Sequence, residues 1–166
     1  MKYIFIFLAL LSVDASAQKT SSDEQHFRLV LKNFKTAVKS RNLNGASKLM
    51  QFPFYTAKSD NGNGRELPAD PISYNEFKTY KSAIFNEEVL RILLKLREDN
   101  LSEIEGNEDN YYAALRKTTD KGSKLYEVYA EYRQQRRNTE SYFAFIFGRV
   151  RGSYKVIAYY GKWPLR

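Results

Sequence analysis

The chain has 166 residues, enough for one ordinary domain with a real core. It is 43% hydrophobic and 15% aromatic, which excludes a disordered chain. Its 27 Lys and Arg stand against 19 Asp and Glu, and the absence of Cys excludes disulfides, thiolate metal sites, Cys nucleophiles and lipoprotein attachment.

The N-terminal segment MKYIFIFLALLSVDASAQ has a basic start at Lys2 and an apolar run from Tyr3 to Val13. Ala15-Ser16-Ala17 then supplies small residues at the −3 and −1 positions. This pattern predicts a signal peptide over residues 1–17, removed ahead of Gln18. The run is too short to span roughly 30 Å of hydrocarbon. The expected mature chain is a single domain, 18–166, with no transmembrane segment, in the periplasm or outside the cell.

Past a polar entry, Phe27, Val30, Leu31, Phe34 and Val38 recur at helical spacing, which predicts a first helix over 23–40. A second, short helix follows, with Asn44 as its expected cap, and Phe52-Pro53-Phe54 is expected to break it. Residues 58–71, rich in Gly, Pro, Asn and Asp, read as a loop. Ser73 and Glu76 have capping-box spacing, and Ile72 with Phe77 form a hydrophobic staple, so a helix is expected to start there. Asn86 can cap its continuation.

From Asn110 the period changes. Residues 111–118 read as a strand, and 97–118 as a whole carries the weakest pattern. Residues 125–133, 140–151 and 154–163 are strands rich in Tyr, Phe, Val and Ile. Gly152-Ser153 suits a two-residue type II′ turn. Helices followed by strands predict an α+β fold, with N-terminal helices packed on a curved antiparallel β-meander.

Pairing Arg151 with Tyr154 sets Phe147 opposite Ala158 and Phe145 opposite Tyr160. Pairing Arg133 with Glu140 adds Tyr126, Val128, Ala130 and Tyr132 to the same apolar face, under the helices. The other face then carries Leu125, Glu127, Tyr129, Glu131, Tyr142, Ala144, Ile146, Val150, Ile157, Tyr159 and Trp163. That mixture suits a half-buried interface.

The stretches FKTAVKSRNLNGASKLMQFPF, ISYNEFKTYKSAIF and YFAFIFGRVRGSYKVIAYYGKW resemble the NTF2-like superfamily, with its SnoaL-like and ketosteroid-isomerase-like members. The resemblance implies a cystatin-like cone: a curved sheet wrapped around helices, with a pocket at the open end. Such proteins include isomerases, dehydratases and many non-catalytic binding or dimerisation modules, so the fold leaves the activity open.

His26 is the only His and reads as a capping or surface residue. No cofactor and no metal site is expected. Glu127 and Glu131 point the same way on one strand, where acid–base work is weighed against a solvated or interface role. The expected reading is a non-catalytic exported domain that binds a small apolar ligand or a partner protein. Tyr126, Tyr132, Phe143, Phe145 and Tyr160 are the candidate ligand residues. The alternatives are an isomerase or dehydratase with a Tyr/carboxylate pocket, and a module for anionic envelope polymers. The last would use Arg133, Arg136 and Arg137 at one end of the sheet, and Arg149, Arg151 and Lys155 at the other. No nucleic-acid partner is expected. A homodimer is expected through Tyr129, Tyr142, Ile146, Ile157, Tyr159 and Trp163.

Overall fold

A computed structural model of the chain describes residues 14–60, 62–106, 109–134, 138–162 and 165, with side chains from Asp23 onward apart from that of Glu98. The apolar leader, Arg136, Arg137 and Trp163 therefore lie outside the described residues. Helix α1, Asp14–Lys39, begins earlier than expected. The expected cleavage point falls in its first turns.

Helix α2, Leu43–Lys48, is capped by Asn42 rather than Asn44. The Asn42 side chain accepts from the Gly45 amide at 2.8 Å. The expected loop is instead a hairpin of β1, Met50–Asp60, and β2, Glu66–Ile72. Its Gly and Pro content misleads for a physical reason. Strand β2 lies at the edge of the sheet, where prolines such as Pro68 and Pro71 are tolerated. Gly62 and Gly64, both at positive φ, make the turn.

Helix α3, Tyr74–Ile84, starts as the sequence predicts. Ser73 accepts from the Glu76 amide, and the Glu76 carboxylate in turn accepts from the Ser73 amide at 2.8 Å. Asn86 caps α4, Glu87–Leu93. A 3₁₀ turn, Glu98–Asn100, leads into β3, Leu101–Ile104. The expected strand over 111–118 is a helix: α5 spans Asn110–Arg116. Asp109 caps it by accepting from the Tyr111 amide at 2.8 Å. Tyr111 and Leu115, four residues apart, form its buried face.

Strands β4, Leu125–Arg133, β5, Glu140–Val150, and β6, Ser153–Gly161, close the chain. The fold is α+β. Its curved, open six-stranded sheet has the order β2-β1-β6-β5-β4-β3 and is antiparallel except where β1 meets β6. The β4–β5 register is the expected one, with Arg133 opposite Glu140 and Val128 opposite Phe145.

The β5–β6 register is not. Arg149 pairs with Tyr154, and a bulge follows at Ile157, so that Phe145 pairs with Tyr159 and Ile146 with Ala158. Two causes combine. The turn is centred on Arg151 and Gly152, both at positive φ as in type I′, not on Gly152-Ser153. Asp120 fixes that choice: its carboxylate accepts from the Arg151 amide at 2.9 Å and the Gly152 amide at 2.8 Å. Those bonds, the one from Gly152 first, hold the Asp120 carboxyl below its usual range. The bulge then turns Tyr159 to the helix side and Ala158 with Tyr160 to the far side, reversing the expected faces of these three residues.

The sheet separates two cores. On the concave side α1, α3 and α4 pack Phe27, Phe34, Phe77, Phe85 and Leu93 against Tyr126, Val128, Phe143, Phe145, Phe147 and Val156. On the convex side Tyr111 and Leu115 of α5 pack against Leu125, Ala144, Ile146, Ile157, Ala158 and Tyr160. Ion pairs brace the edges. Asp23 of α1 is buried and meets Arg149 of β5 at 2.6 Å.

Candidate functional site

The interior that the sequence assigns to a ligand is filled by the protein's own rings. Phe145 is fully buried. It stacks on Phe85 at 5.9 Å between centroids and meets Phe34 edge-on at 5.4 Å and Tyr159 at 5.2 Å. Phe143 is fully buried beside it. Tyr126 lies flat on Phe27 at 4.3 Å. Tyr132 is half-buried at the far end of β4, against Phe143. Tyr160 lies on the other side of the sheet. The five candidate ligand residues therefore do not converge on one cavity.

The expected interface patch is likewise dispersed. Ile146 and Ile157 are buried beneath α5, and Tyr159 faces the concave core. Tyr142 is exposed and Tyr129 half-buried, stacked together at 6.2 Å. Tyr129 donates to Glu131 at 2.7 Å, and burial followed by that bond pushes its hydroxyl pKa up to about 12. A dimer axis at Ile146 is excluded, because the chain's own helix occupies that surface.

The convex side holds a polar cluster that the sequence reading missed. Tyr112 of α5 and Tyr160 of β6 both donate to the same oxygen, Oε1 of Glu127, each at 2.7 Å. Lys58 of β1 sets its ammonium over the rings of Tyr160, Tyr111 and Tyr112, at 4.6, 4.7 and 4.9 Å. Its carboxylate neighbours are Glu66 at 3.3 Å and Asp109 at 3.9 Å. Burial and the nearby Glu127 raise the Tyr160 and Tyr112 pKa values far above the ordinary phenol value. These contacts tie α5 to β1, β4 and β6, while the buried Tyr111 hydroxyl has no hydrogen-bond partner among the described residues. A carboxylate next to two phenols is the enzyme signature weighed above; here one of its two oxygens, Oε1, already accepts from both phenols.

At one basic end of the sheet, Arg149 and Lys155 are committed to partners. Arg149 is held by Asp23 and lies 3.7 Å from Asp120. Lys155 donates to the Lys48 carbonyl at 2.9 Å. His26 is exposed. Among the described residues, no group of three or more His, Asp or Glu is placed to hold a metal ion. No helix among them is long and apolar enough to cross a membrane.

One hollow differs in kind from these packed regions. A groove of about 490 Å³ runs between α1 and the segment that joins α4 to β3. Its apolar lining is Leu31, Leu94, Leu96, Leu101 and Val128. Leu101 and Val128 are paired across β3 and β4, and Leu31 closes the floor from α1. Arg28, Lys32, Lys35, Lys39 and Arg97 line it as well, with Thr36. The volume falls within the 300–1,000 Å³ typical of small-molecule sites. The signal was present in the sequence as the Arg28, Lys32, Lys35 and Lys39 spacing, but that face of α1 reads as ordinary solvated charge until the segment after α4 supplies an opposing apolar wall. A smaller hollow lined by Glu24, Phe27, Arg28, Leu101, Ser102, Glu103 and Tyr126 adjoins it.

A scan of protein-family models finds no match to this chain, and a search of curated proteins finds no relative.

Proposed function

We propose that the protein is an exported, non-catalytic binding domain of NTF2-like type that takes an apolar ligand in the groove between α1 and the α4–β3 segment. The observation that carries this reading is the half-open leucine floor of that groove. The cone interior, by contrast, is occupied by Phe34, Phe85, Phe145 and Tyr159. The curved sheet around N-terminal helices supports the NTF2-like assignment, and the A-x-A pattern supports export. A non-catalytic role is favoured because Glu127, the carboxylate best placed beside tyrosines, is committed to Tyr112 and Tyr160.

Titration calorimetry with 1-decanol, a neutral single-chain probe, tests the site. Leu94 is 37% exposed, so Leu94→Asp changes the groove wall with little effect on the core. The substitution is expected to weaken decanol binding at least about tenfold, as a desolvated contact is replaced by a charge. Tyr142→Asp, at the distant end of β5, is expected to leave it unchanged. Equal effects of the two substitutions, or no binding by the unmutated protein, would remove the groove as the site.

A further inference from the structure

The groove's charge is a feature that a purely apolar ligand leaves unused. We infer that its ligand is a single-chain amphiphile with an anionic head, a free long-chain carboxylate. The inference rests on the groove being the binding site.

Four of the cations lie on α1 at positions 28, 32, 35 and 39. At about 100° per residue they fall within an arc of about 60°, along a stripe about 16 Å long. Leu31, at the edge of the helix's buried stripe, borders that arc, so one wall passes directly from apolar to cationic. Like charges three and four residues apart on a helix repel one another. Arg28 is partly neutralised by Glu24 on its own helix at 2.8 Å. Lys35 reaches across the groove and donates to the Leu96 carbonyl at 3.2 Å. The exposed side chains of Lys32, Lys39 and Arg97 make no hydrogen bond or ion pair with any described residue. No carboxylate lines the groove among the described side chains.

Charge complementarity selects the occupant. A neutral alkyl chain covers the leucines and leaves the repulsion between cations in place. An inorganic anion or a phosphorylated sugar meets the cations and leaves the leucine floor in water. A long-chain carboxylate does both, its chain on Leu31, Leu101 and Val128 and its head among Lys32, Lys39 and Arg97.

Calorimetry of decanoate beside 1-decanol, both below their aggregation limits, tests this on the full protein. At low salt decanoate is expected to bind about tenfold more tightly, since several exposed cations each contribute modestly. That advantage is expected to shrink as salt rises. In the Lys32→Gln, Lys39→Gln, Arg97→Gln triple variant, decanoate should lose this advantage and bind only as well as decanol binds to the same variant. The variant's thermal midpoint should match or exceed that of the unmutated protein, because repulsion on α1 is relieved. Equal binding of decanoate and decanol by the unmutated protein would overturn the anionic head while leaving the groove reading intact. Failure of both probes to bind would overturn both. Decanoate binding indifferent to the triple substitution would place the carboxylate elsewhere and overturn the inference. Binding to phosphatidylglycerol vesicles without binding of decanoate would assign the cations to a membrane surface and overturn it equally.

Discussion

Ile146→Asp is expected to unfold the protein or to lower its stability by at least about 4–5 kcal/mol. Ile146 is fully inaccessible, enclosed on the convex side with Tyr111, Leu115, Leu125 and Ile157. An aspartate there either carries an unpaired charge into an apolar environment or takes up a proton to avoid it. Both are costly, and the side-chain volume lost adds a packing defect. Typical domains have only about 5–15 kcal/mol in hand. Urea denaturation followed by circular dichroism measures the effect. A stably folded variant that merely changes its association state would show that Ile146 lies at a surface after all. In that event α5 would not cover the sheet.

The second large effect is alkaline. Tyr111, Tyr159 and Tyr160 are almost wholly buried, and burial is the leading cause that raises each of their pKa values. Tyr126 and Tyr154 shift in the same direction for the same reason. In the unfolded chain a phenol ionises near its ordinary value of about 10. Above that pH the unfolded state gives up protons that the folded state keeps, so the stability of the fold decreases as pH rises. The contribution is fully present below about pH 10 and is lost between there and the raised folded values. One pH unit above the ordinary value, each such phenol removes roughly 1.4 kcal/mol, and the three most buried together roughly 4 kcal/mol. Denaturation midpoints measured from pH 8 to pH 11 should therefore fall steeply past about 10, with the phenolate absorbance of the buried rings appearing together with unfolding. Native-state phenolate absorbance near the ordinary phenol value that disappears in the Tyr111→Phe, Tyr159→Phe or Tyr160→Phe variant would contradict the burial of these rings.

What could be read from the sequence divides along physical lines. The α3 start was legible because Ser73, Glu76, Ile72 and Phe77 act within a single turn. Strands β4, β5 and β6 were legible from their β-branched and aromatic runs, and the concave face of β4 and β5 followed from simple alternation. The β5–β6 register was not, because it is set by Asp120, which sits in a separate loop and captures the Arg151 and Gly152 amides. The bulge at Ile157 then reverses the facing of the next three residues. Helix α5 was hidden by its length: seven residues give only the Tyr111–Leu115 repeat, and paired tyrosines favour strand on propensity alone. Hairpin β1–β2 was hidden by prolines that an edge strand tolerates.

The candidate site was least legible of all. The aromatic residues that look available for a ligand, Phe143 and Phe145 above all, are the core itself. The groove depends on two segments more than fifty residues apart, one of them the poorly patterned connection through Leu96 and Leu101. The Tyr112–Glu127–Tyr160 cluster also joins three distant elements. Glu127 and Tyr160 stood out in the sequence for separate reasons, and nothing there joined them to each other or to Tyr112. The same packing answers how a sheet with two apolar faces stays closed to water. N-terminal helices cover the concave face, and α5 covers the convex one.

Amide NMR during titration with 1-decanol tests the central claim most directly. The account predicts shift changes gathered along one face of α1 from Arg28 to Lys39, and at Leu94, Leu96, Leu101 and Val128. Changes centred instead on Phe143 and Phe145, or around Glu127 and Tyr160, would contradict it.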